Sequence, residues 1–176
     1  MTGSARELLR AELETSRTEF QELLASIGDR SWTVRSLNRG WTNGELLFHI
    51  ALGYFLLTPL VVVMNLFGVL PRGCSRVFAA LLNLSTPLFN WINGLGPRVG
   101  ARILNARRLS RTFDRVHSSI LRRLDSTGPQ AWSRGMHYPR RWDPRFREFM
   151  TMEDVFHYPT IHFHHHRSQI RTEDPS

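Results

Sequence analysis

Leu9, Leu13, Phe20, Leu24 and Ile27 stand three, four or seven residues apart, the spacing of one face of a helix. Ser4 precedes Glu7 by three residues, as in a capping box, and Gly28 supplies a stop. A second helix is expected from Thr42, which precedes Glu45 by the same three residues. Its inner face would carry Leu46, His49, Gly53 and Leu56, and Pro59 should end or kink it. A third is expected from about Arg98 to Asp125, with Val99, Ile103, Ala106, Phe113, Val116, Ile120 and Leu124 as its apolar stripe and arginines opposite. Gly128 and Pro129 end it. Trp132 to Phe149 is polar, aromatic and proline-containing, an ordered loop without a period-2 strand. The last helix should start at Thr151, capped with Asp154, and run to about Arg171. Four such helices with apolar inner stripes predict an all-α four-helix bundle.

Two stretches depart from this alternation. From Leu46 to Leu70 no acidic or arginine side chain occurs, and a second apolar stretch runs from Val77 to Leu95, broken by Pro87, Asn83, Asn90 and Asn93. The expected organisation is a single helical domain over 1–171, with an apolar insert at 60–97 and a frayed tail at 172–176. The uncharged run is long enough to span a bilayer. Spanning would carry His49 away from the last helix, so the insert is expected instead to line a pocket, a subunit contact (a homodimer) or a peripheral membrane surface.

At 176 residues, 41% hydrophobic and 22% charged, the chain has an ordinary globular composition, which excludes wholesale disorder. One cysteine, Cys74, excludes an internal disulfide and a zinc ribbon. Its flanking Arg72 and Arg76 would favour a thiolate, but no base is in sight, so nucleophilic catalysis is not expected there. The first 27 residues are amphipathic rather than basic-then-apolar, so no signal peptide and a cytoplasmic place, or one at a membrane surface, are expected. The net charge is +8, and every basic residue is arginine. The arginines are dispersed, without a zinc finger, basic zipper or RNA-binding aromatic signature, so no nucleic-acid partner is expected.

Histidine carries the chemistry. Of eight, five lie between His157 and His166. On a helix, His162 and His166 project within roughly 40° of each other. Val155 falls between them in angle and Ile170 just beyond, which places the pair on the inward stripe. His164 points to solvent and His165 to the flank. Two imidazoles at i and i+4 suit zinc or nickel, and His49 on the inner face of the second helix is the candidate third ligand. Three neutral imidazoles leave a coordination position open, the arrangement of a catalytic centre. Weaker candidates are Tyr158 and His165 as catalytic groups, and Gly53, Tyr54 and Tyr158 for substrate binding. Glu45 is expected to act as a cap, and the five tryptophans to pack.

Gly40-Trp41-Thr42-Asn43-Gly44-Glu45-Leu46-Leu47-Phe48-His49 resembles the second-helix signature of the DinB-like superfamily. His162-Phe163-His164-His165-His166-Arg167-Ser168-Gln169-Ile170 resembles its last-helix motif, with Ser168 in place of the usual glycine. The loop at His137-Tyr138-Pro139, leading into Met152-Glu153-Asp154-Val155, sits where that family turns before its last helix. The segment from about Leu60 to Pro97 is longer and more apolar than the family's usual connection. The resemblance implies a four-helix bundle holding a divalent metal by His49, His162 and His166. It also implies transfer of a low-molecular-weight thiol, mycothiol or similar, to an electrophile, here an apolar one. The same metal would serve an isomerase, hydrolase or cyclase without a thiol. The remaining alternative is a non-catalytic binding module that engages a membrane or partner through the insert.

Overall fold

The computed structural model describes residues 3–38 and 40–171. Helix α1 (Gly3–Ile27) buries Leu9, Leu13, Phe20, Leu24 and Ile27, the stripe read from the sequence, and ends where Gly28 takes a positive φ of 53°. Ser4 already lies inside that helix. Helix α2 (Asn43–Phe67) begins at a complete capping box: Thr42 accepts from the Glu45 amide, and Glu45 accepts from the Thr42 amide. Glu45 is thus the expected cap. Pro59 does not end α2, which continues for two turns to Phe67. Leu57, Val61 and Met64 are buried on either side of the proline, and that packing outweighs one lost backbone bond.

The expected third helix is two. Helix α4 (Thr86–Ile103) ends at an extended Leu104, and α5 (Ala106–Ser126) restarts under an Asn105 cap whose side chain accepts from the Arg108 amide. The stripe divides accordingly. Ala106, Phe113, Ile120 and Leu124 are buried, whereas Val99 and Ile103 face solvent. Ahead of them, α3 (Arg72–Leu84) occupies the second apolar stretch. The expected loop after α5 contains a short helix, α6 (Pro129–Trp132), and an antiparallel pair, β1 (Gly135–His137) with β2 (Phe149–Thr151), in the register Met136 opposite Met150. Strands of three residues are too short to show alternation. Ser75 of α3 bonds His137 Nδ1 at 3.0 Å, fastening that helix to β1. Helix α7 (Met152–Arg167) starts at the expected Thr151–Asp154 box and ends about one turn sooner than expected. The tail expected at 172–176 lies outside the described residues.

In the bundle, α1 packs on α5 and α7, and α2 packs on the same two. The helices therefore form a ring in the order α1, α5, α2, α7. Its core is aromatic: Phe20 meets Phe113 at 4.2 Å between ring centroids, and Tyr54 lies edge-on to Phe113 at 4.7 Å. Helix α2 is long and apolar enough to cross a membrane by length and composition, but one of its faces supplies Leu46, Leu47, Ile50, Leu57 and Met64 to this core.

Candidate metal centre

Adjacent helices bring the histidines together. His49 comes from α2, and His162 and His166 come from α7, one turn apart. All three are buried, and each offers a ring nitrogen within 4.8 Å of the others. Ring centroids are 4.8 Å apart for His49 and His162, 4.8 Å for His49 and His166, and 4.6 Å for His162 and His166.

Local chemistry fixes this approach. Asn43, in the first turn of α2, donates to the carbonyls of Ser31 and Arg171 and accepts from the Arg171 amide. That clamp ties the start of α2 to the chain just past α7. One turn beyond His49, Gly53 faces the His162 ring; a Cβ there would stand 3.0 Å from the His162 Cδ2. Trp41 packs against His49 at 4.6 Å.

The electrostatics favour neutral imidazoles. Burial, reinforced by His162 and His166, pushes the His49 pKa down to about 2. Burial and His162 push His166 down to about 4. His166 Nδ1 lies 2.9 Å from Gln169 Oε1. An amide oxygen only accepts, so Nδ1 carries the proton and Nε2 keeps its lone pair. Asn38 holds the same oxygen of Gln169 at 3.1 Å. In contrast, His49 Nδ1 and both ring nitrogens of His162 are buried and have no hydrogen-bond partner among the described residues. Buried polar atoms are ordinarily paired, so this cluster of orphaned nitrogens fits a divalent metal, for which neutral imidazole is a suitable ligand.

Asp143, which the sequence did not single out, faces the same cluster. Its Oδ2 lies 3.8 Å from His162 Nδ1 and accepts from the Tyr158 hydroxyl at 2.6 Å, while Oδ1 accepts from the Arg145 amide. Burial opposes its charge, but the His162 ring first, then the Tyr158 hydroxyl and the Arg145 amide, prevail and hold the carboxyl well below the usual range. Of the weaker candidates, Tyr158 is thus committed to Asp143, Tyr54 is wholly buried in the core, and His165 is exposed. His164 and Cys74 are exposed as well. Trp32 and Trp132 are buried, Trp142 stacks on Phe89, and Trp91 projects to solvent.

No curated protein and no solved structure matches the chain. The family model of the DinB superfamily does, over residues 12–170, a span that begins in α1 and ends at the buried Ile170, the last residue of the histidine motif, and the chain belongs to that superfamily.

Proposed function

We propose that the protein is a metal-dependent enzyme that joins a low-molecular-weight thiol, mycothiol or a similar one, to an apolar electrophile at a centre held by His49, His162 and His166. The observation that carries this reading is the cluster of buried imidazoles in which His49 Nδ1 and both nitrogens of His162 have no hydrogen-bond partner among the described residues. Zinc or nickel bound there supplies positive charge that favours a thiolate over a thiol at neutral pH.

The chain's own groups prepare the site. Burial keeps His49 and His166 neutral at physiological pH, so protons do not compete for their lone pairs. Gln169 sets the His166 tautomer and directs Nε2 toward the cluster. Tyr158 and the Arg145 amide hold the Asp143 carboxylate toward His162, where it orients that ring. Trp41 walls the centre on the His49 side and limits water there.

Metal content of tag-free protein, measured by mass spectrometry beside a His49→Ala variant, is the first test. About one metal per chain, lost in the variant, is expected. Consumption of thiol with an apolar electrophile, absent from the same variant, tests the reaction. Protein that takes up neither zinc nor nickel sinks the whole reading; protein that binds metal but consumes no thiol sinks only the transferase part.

A further inference from the structure

Helix α4 is packed the wrong way round for a core helix. Only Pro97 and Gly100 of its 18 residues are buried. Gly100 lies so close to α2 that a Cβ would stand 2.3 Å from the Phe48 ring. The large side chains face out: Leu88, Trp91, Ile92, Leu95, Val99 and Ile103, at helical spacing, are all exposed, Trp91 by 64%. Helix α3 repeats the pattern. It buries Ser75 and Ala79 and displays Val77, Leu81 and Leu84. A helix that seats its small residues on the bundle and spends its leucines and tryptophan on the outside has a second apolar neighbour to meet.

Charge identifies that neighbour. Residues 46–113 contain no aspartate or glutamate at all, whereas Arg72, Arg76, Arg98 and Arg102 of α3 and α4 are exposed. None of the four forms an ion pair among the described residues. Arg98 and Arg102 border the α4 stripe, and Arg140 and Arg141 are exposed beside the α3–α4 turn, to which Asn83 holds the Arg141 amide. A second copy docking by twofold symmetry would set this basic face against the same basic face, and among the described residues α3 and α4 carry no acid to answer the arginines. An anionic bilayer answers both features. Apolar side chains enter the acyl boundary, Trp91 suits the interface, and the arginines reach phosphate headgroups along their aliphatic stems. Helices of 13 and 18 residues lie along such a surface, since about 20 are needed to cross it.

We propose that α3 and α4 form a peripheral docking face for an anionic lipid bilayer, which holds the bundle against the membrane without crossing it. The turn between them is braced for this. Trp142 stacks on Phe89 at 4.2 Å and donates to the Leu82 carbonyl at 2.8 Å, so the face is rigidly joined to the loop that carries Asp143. The proposal stands independently of the thiol chemistry.

The test is co-sedimentation of the full chain with vesicles of equimolar phosphatidylglycerol and phosphatidylcholine, against vesicles of phosphatidylcholine alone. Binding about tenfold or more tighter to the anionic vesicles, weakened by salt, is expected. Leu88→Glu with Trp91→Glu, and separately Arg98→Glu with Arg102→Glu, should each abolish it while helicity and metal binding stay at the wild-type level. These side chains are exposed, so the fold should tolerate both, and the salt dependence of the wild type provides a measurement that needs no variant. Failure to bind either vesicle, equal binding to both, or binding that survives the Leu88/Trp91 change in folded protein overturns the proposal. So does a wild-type dimer in light scattering that the same change converts to monomer, since it would give the face to a second copy.

Discussion

Asp143 Oδ2 and His162 Nδ1 stand 3.8 Å apart, which sets a carboxylate beside a trio of buried imidazoles. They are 19 positions apart in sequence, on an irregular loop and on α7 respectively. Groups that orient metal-binding histidines typically contribute 10–100-fold to metal affinity. Asp143→Asn should therefore weaken zinc binding by about 10–100-fold while leaving the circular dichroism unchanged. Tyr158→Phe, which removes the donor to Asp143, should have a smaller effect in the same direction. Competition with a chromophoric chelator measures both, and wild-type affinity in Asp143→Asn would refute the positioning role.

Adjacent histidines of α7 should behave oppositely. His164 is exposed and His166 is buried at the cluster. His164→Ala should retain metal, whereas His166→Ala should lose most of it. Equal loss from both, in mass spectrometry of the purified variants, would contradict the helical phase.

Two other histidines predict opposite limbs in the pH dependence of stability. Burial lowers the pKa of His117 despite its contact with the Leu13 carbonyl. Below about pH 6.5 the unfolded chain binds a proton that the native one refuses, so this part of stability is lost as pH falls from there toward the lowered value. His157 is raised by its hydrogen bond with Glu12, against some burial. Its contribution is present below about pH 6.5 and is lost as pH rises through the raised value. Urea midpoints across this range should show a flatter acid limb in His117→Gln and a flatter upper limb in His157→Gln. Unchanged profile shapes would contradict these assignments.

The seat of α4 on α2 depends on one missing methyl group. A Cβ at Gly100 would overlap the Phe48 ring at 2.3 Å, so Gly100→Val should destabilise the protein by about 1–3 kcal/mol through forced repacking. Gly94→Ala, with open space at its Cβ, is the control on the same helix and should not lower the melting temperature. Equal stability of Gly100→Val and wild type would remove α4 from its described position.

Much of the bundle was legible because its signals are local. Capping boxes at Thr42–Glu45 and Thr151–Asp154 depend on residues three apart, and the phase of His162 and His166 with Val155 and Ile170 follows from the pitch of one helix. Where expectation failed, the deciding neighbour was distant. Pro59 stays within α2 because Leu57, Val61 and Met64 are buried around it, and Val99 and Ile103 turn outward because α4 sits on α2 through Gly100. The approach of Asp143 to His162 was equally invisible, since an irregular loop has no period from which to read direction. Periodicity determined which residues share a face, and that is a property of the chain alone. Which face is covered, and by what, was decided only when α2, α4, α7 and the Asp143 loop packed together, because burial depends on partners that sequence spacing does not name.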